Sequence, residues 1–221
     1  MMRSLSPLLG ALALLALGAC SSDPQTRRLI ASATPFSRPA PVLAPEFAAA
    51  ERAGTPRFIA AVEARPEAIA LFVRQTRSER SGVGTWISGD GAQLMLDDGL
   101  LVGSRGFSGD VMAAQLRESA ALIHGLSPGV ATRLMTLIDG EDHAVTRAFR
   151  CQISPGARED VTIGTRALQA VTVTEACRGT VASFENYYWV VPQTGEIIQS
   201  SQWAGTVTGK ISLRMAQLGA R

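Results

Sequence analysis

The chain has 221 residues, of which 46% are hydrophobic and 18% are charged. This length fits one large domain or two small ones, and the composition excludes a chain that is disordered over most of its length. The 21 Lys and Arg residues nearly balance the 19 Asp and Glu residues, which argues against a broad basic surface for nucleic acid. With 2 His and 3 Cys, the chain has too few ligands for zinc fingers or iron–sulfur clusters.

The first 19 residues have the pattern of a secretory signal peptide. Arg3 precedes an uncharged apolar run over residues 7–17, which is shorter than the roughly 20 residues that a membrane-spanning helix needs. The run ends in Leu17-Gly18-Ala19-Cys20, which resembles the bacterial lipobox, where small residues precede a cysteine that receives lipid. We therefore expect cleavage before Cys20 and a permanent acyl anchor on it. An ordinary signal peptide with a coincidental cysteine is the alternative.

Residues 20–56 have the composition of a membrane tether. The segment after Cys20 contains six prolines and many Ala and Ser residues, which favours an extended spacer over regular ladders. Within it, Pro45-Glu46 and Gly54 supply the start and stop signals of one short helix. Ser21, rather than Asp, follows the cysteine, a choice that favours the outer membrane. The sequence thus predicts a lipidated tether before a domain over residues 57–221.

Alternation of apolar and polar residues dominates this domain. Thr85–Ser88, Ala92–Asp97 and Leu100–Arg105 read as a three-stranded meander that turns at Gly89-Asp90-Gly91 and Asp98-Gly99. Further strands are predicted over residues 145–153, 161–166, 168–176, 181–191, 196–203 and 211–215. One helical interruption is expected near Asp110–Ser119, with Asp110 as its cap. The predicted fold is all-β and mainly antiparallel, with about ten to twelve strands in a barrel or sandwich and one or two short helices.

Cys151 and Cys177 remain after lipidation of Cys20, and both lie in or beside predicted strands. An even number of cysteines in an oxidising compartment favours a disulfide between them. Two unpaired buried thiols are the alternative.

The residue types that usually carry catalysis are sparse and poorly placed. His124 and His143 lack ligand spacing to another His, Cys or carboxylate, so no metal site and no cofactor are expected. The carboxylate pairs at 97–98, 141–142 and 159–160 all fall at predicted turns. The sequence also lacks a Gly-x-Ser-x-Gly elbow and a phosphate-binding glycine loop before a helix. The sequence therefore predicts a protein that is not an enzyme.

An aromatic cluster offers candidate binding residues. It comprises Phe184, Tyr187, Tyr188, Trp189 and Trp203, and such rings stack on sugar faces or line lipid pockets. Alternation along a strand sends Tyr187 and Trp189 to one face and Tyr188 to the other. Tyr188 and Trp203 are the aromatic binding candidates, with a purely structural role as the alternative.

Arg105 is a further binding candidate. Gly103 and Gly106 remove side chains around it, so an anionic ligand or a second backbone could approach its guanidinium closely. In the alternative interpretation, Arg105 pairs with a carboxylate at the strand end and the glycines serve turns and bulges. A polymer contact through the planar guanidinium would tolerate lysine poorly.

Several short motifs, in this order, resemble the YjbF/GfcB-type lipoproteins of exopolysaccharide and group 4 capsule operons. They are Gly84-Thr85-Trp86, Asp98-Gly99-Leu100-Leu101-Val102, Ser104-Arg105-Gly106-Phe107, Phe184-Glu185-Asn186-Tyr187-Tyr188-Trp189 and Ile198-Gln199-Ser200-Ser201-Gln202-Trp203. Cys151 and Cys177 are similar to the paired cysteine positions of that family. The family's usual Thr-Arg-Gly-Leu differs from residues 104–107 here. The resemblance implies a mainly β, barrel-like domain on a lipid anchor, without enzymatic activity.

These features together predict a periplasm-facing outer-membrane lipoprotein that assists exopolysaccharide or capsule secretion without catalysis. The expected partners are outer-membrane lipid, polysaccharide export or assembly proteins and the polysaccharide itself, with no nucleic acid. The alternative function is a β-barrel of the cell envelope that carries lipid or lipoprotein. A core filled by side chains would favour the first function, and a wide apolar cavity the second.

Overall fold

A computed structural model describes residues 43–65, 67–138 and 143–216. The predicted signal peptide, Cys20 and most of the predicted tether lie outside the described residues. A compact unit begins at Leu43. Its elements in chain order are α1 (Pro45–Arg52), β1 (Arg57–Val62), β2 (Ile69–Arg77), β3 (Gly84–Ser88), β4 (Gln93–Asp97), β5 (Leu100–Arg105), β6 (Val111–Gln115), α2 (Arg117–His124), β7 (Gly129–Ile138), β8 (Ala144–Ile163), β9 (Arg166–Arg178), β10 (Ser183–Val190), β11 (Ile197–Trp203) and β12 (Lys210–Met215).

The twelve strands form one antiparallel sheet that curls into a nearly closed barrel. Each strand pairs with the next along the chain from β1 to β5 and from β6 to β12, and β12 returns to pair with β1. The predicted meander of β3, β4 and β5 is present, and its second turn has positive φ at Asp98 and Gly99, as a tight hairpin turn requires. The all-β prediction is therefore confirmed.

The edge strands β5 and β6 close the barrel through side-chain hydrogen bonds. In the described sheet they are not paired with each other by a backbone ladder. The Ser104 hydroxyl donates to Asp110 at 2.9 Å and accepts from the backbone N–H of Val111 at 2.9 Å. The Asp110 carboxylate also accepts from the backbone N–H groups of Gly106 and Phe107. Two edge strands that would otherwise present unpaired backbone groups are thus held together.

The predicted helix over Asp110–Ser119 is wrong. Residues Val111–Gln115 form strand β6, and the helix begins only at Arg117. Met and Ala in this run favour a helix, but the backbone pairs with β7 and Val111 is fully buried in the core. Asp110 accepts from the preceding loop instead of capping the helix. Tertiary packing and ladder formation outweigh the local preference here.

Two outer covers protect the barrel wall. Helix α1, which the sequence analysis placed in the tether, buries Phe47 and Ala50 against Val73 of β2 and Ile87 of β3. The bent β8–β9 hairpin forms a second cover. Its tip buries Ile163 in a cluster with Ile198 of β11. Strand β8 runs unbroken over the two predicted strands 145–153 and 161–166, with a bulge near Pro155.

The barrel interior contains a fully buried ion pair. Arg133 of β7 donates to Glu175 of β9 at 2.8 Å, and both side chains have 0% exposure. The same carboxylate oxygen accepts from the amide of Asn186 at 2.7 Å and from the hydroxyl of Tyr188 at 2.9 Å. Burial alone would raise the pKa of Glu175, but the Arg133 charge and these hydrogen bonds hold that pKa below its usual range. The network therefore ties β7, β9 and β10 together through one ionised carboxylate.

We expect the free energy of unfolding to fall in acid because of Glu175. Its carboxylate binds a proton less readily in the folded chain than in the unfolded chain, where glutamates have a pKa of about 4.3. The stabilisation is therefore complete above the unfolded pKa and is lost as pH falls through the lower folded pKa. Urea unfolding between neutral pH and about pH 3 measures this loss. Glu175→Gln should lower stability at neutral pH and flatten the acid slope, whereas exposed Glu79→Gln should change neither. An unchanged slope in Glu175→Gln would contradict the assignment.

Cys151 and Cys177 are directly opposed residues of β8 and β9, and a disulfide joins them. The two cysteines are 26 residues apart in sequence. Both residues are buried, in the core cluster that also contains Phe149, Phe184 and Trp203. The disulfide thus adds a covalent link between β8 and β9 inside the core.

Removing both thiols in a Cys151→Ala/Cys177→Ala variant should cost about 3 kcal/mol of unfolding free energy. The chain-entropy model attributes this cost to the loop that the disulfide closes in the unfolded state. Denaturant unfolding measures the loss. Mass spectrometry of non-reduced peptides from periplasmic material should recover the two cysteines in one linked species. Finding both thiols free for alkylation would contradict the pairing.

Candidate functional site

One end of the barrel opens into a cleft of about 640 Å³. The start of β1, the ends of β2 and β12, and the turns before β5 and β11 all meet there. Of the residues that the structure describes, four arginines line it: Arg57, Arg74, Arg77 and Arg214. Two carboxylates lie in the same wall, Asp98 and Glu196. The cleft therefore carries an excess of positive charge, although the sequence as a whole is nearly neutral.

Strand alternation explains why Arg74 points toward the cleft. Phe72 is buried opposite Phe58 in the barrel interior, and Arg74 lies two residues further along the same face of β2. Arg74 is paired across the sheet with Trp86, whose ring lies 4.6 Å from that of Phe58. An arginine thus stands beside an aromatic wall at the point where the interior opens.

The four arginines differ in their partners. Arg77 donates to Asp98 at 3.0 Å, but both side chains are more than half exposed, so solvent screens this pair. Arg214 donates to the backbone carbonyl of Thr162 at 2.6 Å. Within the described residues, neither Arg57 nor Arg74 makes a side-chain hydrogen bond or ion pair, and the Nε of Arg57 is buried. Both arginines are half-buried residues, and apart from the buried Nε of Arg57 their unpaired N–H groups can donate to an anion in the cleft.

Helix α2 fixes another wall of the cleft. The Nδ1–H of His124 donates to the carbonyl of Gly195 at 2.7 Å, in the turn between β10 and β11. Gly195 has a φ of 71°, and a Cβ there would lie 3.1 Å from the His124 carbonyl. The absence of a side chain thus allows the helix end and the turn to approach. In this position His124 has a structural role.

The candidate residues Tyr188 and Trp203 are interior residues. Tyr188 has 0% exposure, and burial together with the Glu175 charge raises the pKa of its hydroxyl. Trp203 has 7% exposure and stacks on Phe184 with ring centres 4.3 Å apart. Their contacts match the structural alternative for each residue. Neither side chain lines the cleft.

The third candidate, Arg105, is exposed at the end of β5 and lies outside the cleft. It makes no side-chain hydrogen bond or ion pair among the described residues. The neighbouring glycines are explained by close packing at Gly103 and by the backbone conformation at Gly106. A Cβ at Gly103 would lie 2.7 Å from Met95, and Gly106 has a φ of 88°. The structure thus explains the glycines without a ligand and leaves the Arg105 side chain accessible.

Sequence reasoning missed the cleft because its arginines come from distant segments. Arg57 and Arg214 become neighbours through the pairing of β1 with β12, and a bulge after Arg74 shifts the register of β2. The available signal was a pair of arginines, 74 and 77, directly after an apolar strand. That pattern alone does not separate a binding cleft from a solvated strand end.

A possible metal cluster in the core is accounted for by other bonds. The donor atoms of Cys151, Glu175 and Cys177 lie within 4.8 Å of one another. However, the two sulfur atoms are bonded together, and the carboxylate pairs with Arg133. These residues therefore serve the core and not a metal centre.

Among the described residues, no helix has the length and apolar character needed to cross a membrane.

Comparison with known proteins places these features in a family. The family model described as "Group 4 capsule polysaccharide lipoprotein gfcB, YjbF" matches residues 45–215. The crystal structure of the hypothetical lipoprotein YmcC from Escherichia coli K12 is similar with a TM-score of 0.66 at 16% identity, covering 76% of this chain and 86% of that chain. This likeness shows a shared fold.

A solved structure from Bacteroides fragilis, titled as an exported protein with a YmcC-like fold, has a TM-score of 0.27 at 10% identity. It covers 75% of this chain and 96% of that chain. No curated protein matches the sequence.

Proposed function

The chain belongs to the YjbF family of group 4 capsule polysaccharide lipoproteins, and on this premise we propose that it assists capsule or exopolysaccharide secretion by binding an anionic polymer. The proposed location is the periplasmic side of the outer membrane. In this proposal residues 1–19 form the signal peptide, Cys20 carries the acyl chains, and the following segment tethers the barrel. Its proposed partners are export or assembly proteins and the polymer itself.

The observation that carries this proposal is the pair of guanidinium groups in the cleft, Arg57 and Arg74. Both are partly shielded from solvent, and neither has an acidic partner among the described residues. A planar guanidinium matches a carboxylate through two parallel hydrogen bonds. The adjacent ring of Trp86 supplies an apolar surface in the same cleft. These groups fit a sugar that carries a carboxylate better than a neutral apolar ligand.

The filled interior favours this function over carriage of lipid. Gln202 of β11 reaches across to the backbone of the β4–β5 region. Its amide donates to the Gly99 carbonyl and accepts from the Leu101 N–H, both at 2.8 Å. The opposite walls are therefore in contact at this level, and large side chains such as Arg133 and Phe149 fill the interior beside them. An acyl chain would have to displace these contacts.

The interior carboxylate is not a candidate for acid–base catalysis. Glu175 is the described carboxylate with a lowered pKa, and it is sealed in the core with Arg133. A general acid or base needs contact with its substrate and a pKa near the working pH. Glu175 has neither property. The cleft arginines supply charge and hydrogen-bond donors, which suit recognition of an anion.

An Arg57→Ala/Arg74→Ala variant should bind the acidic extracellular polysaccharide of the producing cells at least tenfold more weakly. The loss of two charge-assisted contacts accounts for an effect of this size. Biolayer interferometry with the purified polymer on the sensor measures it. Wild-type affinity should also fall as the salt concentration rises, because ions screen exposed charges.

Arg166→Ala is the matched control, because Arg166 is an exposed arginine at the β8–β9 hairpin tip. It should bind the polymer like the wild type. Arg105→Ala and Arg105→Lys test the separate proposal that Arg105 contacts the polymer. Both variants should reduce polymer export if Arg105 makes this contact. Undiminished binding by a folded Arg57→Ala/Arg74→Ala variant would overturn the proposed role of the cleft.

Cys20→Ala should release the protein from membranes into the soluble periplasmic fraction. The small residues before Cys20 and the polar residues after it support lipidation at this position. Membrane fractionation and mass spectrometry of the mature N-terminus measure the outcome, with Thr34→Ala in the proposed tether as the control. Acylated Cys20→Ala protein in the outer membrane would show that the anchor lies at another residue.

A further inference from the structure

We infer that a trough on the outer wall of the barrel binds the sugar rings of the polymer whose charged groups enter the cleft. This inference rests on the proposed function. The trough has a volume of about 470 Å³ and crosses the outer faces of β10, β11, β12 and β1. It lies on the wall that helix α1 leaves uncovered, since α1 packs on β2 and β3.

Two aromatic rings form one side of the trough. Tyr187 and Trp189 point outward from β10, while Tyr188 between them is buried in the interior. Both outward rings are held in place by polar contacts. The Trp189 Nε1–H donates to Glu159 at 2.9 Å, and the Tyr187 hydroxyl donates to Glu185 at 2.5 Å. Rings that are already fixed lose little conformational freedom when a ligand stacks on them.

Small hydroxyl side chains form the floor of the trough. Ser201 of β11 and Ser212 of β12 are directly opposed across the sheet, and Ala61 of β1 is the next residue in this row. Short side chains here create the depression beside the taller rings. Both serine hydroxyls donate to the same oxygen of Glu63, at 2.5 and 2.6 Å. The other oxygen of this exposed carboxylate makes no hydrogen bond among the described residues.

The combination of rings, hydroxyls and an open carboxylate oxygen fits a sugar. A pyranose ring presents an apolar face of C–H groups that packs on an aromatic ring, and its edge carries hydroxyls that need donors and acceptors. The Lys210 ammonium lies over the Tyr187 ring, 4.7 Å from its centre. Lys210 and Arg214 line the trough together with Glu63, and the carboxylates of Glu159 and Glu185 lie beside its two rings. The trough therefore has no strong excess of either charge and suits the neutral part of a glycan chain.

The trough adjoins the arginine cleft. Gln199, Ser200, Leu213 and Arg214 line both depressions. A polymer can therefore lie across the outer wall and continue to the barrel end without leaving the protein surface. In this arrangement the trough holds sugar rings, and Arg57 and Arg74 hold carboxylates of the same chain. The two depressions act on different chemical groups of one ligand.

Chemical reduction of the polymer separates these two contributions. The probe is the extracellular polysaccharide of the producing cells, used before and after reduction of its carboxyl groups to alcohols. The full-length lipoprotein in detergent is compared with two double variants, Tyr187→Ala/Trp189→Ala for the trough and Arg57→Ala/Arg74→Ala for the cleft. Tyr187→Phe/Trp189→Phe keeps an aromatic ring at both positions while removing the hydrogen bonds to Glu185 and Glu159, and it serves as the matched control.

The trough variant should bind both forms of the polymer about tenfold more weakly than the wild type, because two stacking contacts are lost. The phenylalanine control should retain most of the affinity. The cleft variant should lose affinity only for the unreduced form. Circular dichroism and the intact disulfide verify that each variant is folded.

Three results would overturn the inference. They are no binding of the reduced polymer by the wild type, wild-type affinity in the trough variant, and equal losses in the alanine and phenylalanine variants. The first two leave the proposed function intact if the cleft variant still loses affinity for the unreduced polymer. Conversely, a cleft variant with normal affinity refutes the role of the cleft, while a weakened trough variant would still support the sugar-binding surface.

Discussion

The pairing of β12 with β1 is the constraint on which the barrel, the cleft and the trough depend. Five residue pairs join the two strands, from Phe58↔Met215 to Val62↔Ile211. This ladder connects the first strand of the chain to the last and so joins two meanders into one nearly closed wall. It also brings Arg57 to the cleft and Glu63 to Ser201 and Ser212. Without this pairing, the β1 residues that line the cleft and the trough would not lie beside those of β12.

The interior shows how a barrel of twelve strands is filled without a ligand. Its core combines aromatic stacking around Trp203 with the Arg133–Glu175 ion pair, and Gln202 bridges β11 to the opposite wall. Breaking a buried ion pair by removing one partner leaves an uncompensated charge and typically costs about 3–5 kcal/mol. A wall with such a core is a rigid support. On its outer face, hydrogen bonds to Glu159 and Glu185 hold the rings of Trp189 and Tyr187 in place.

The sequence predicted the architecture better than it predicted the site. Turn residues such as Asp98-Gly99 and period-two alternation act locally, so the meander, the all-β class and the opposite faces of Tyr187 and Tyr188 could be read from the chain. The strand β6 was mistaken for a helix because its partner β7 lies beyond an intervening helix. The cleft depends on strand pairings that bring Arg57, Arg74 and Arg214, which are distant in sequence, to one depression. Local patterns could not show that these groups line one cleft. Tyr188 was a binding candidate because of its aromatic ring, but that ring packs in the core.

The central claim is that Arg57 and Arg74 hold the charged groups of the polymer, and the most direct measurement is NMR of the arginine side chains. The Nε–Hε signals are recorded in the folded protein as the acidic extracellular polysaccharide is added. The account predicts that the signals of Arg57 and Arg74 shift in a saturable way while that of Arg166 stays fixed. Saturable polymer binding that leaves the Arg57 and Arg74 signals unchanged would contradict the account.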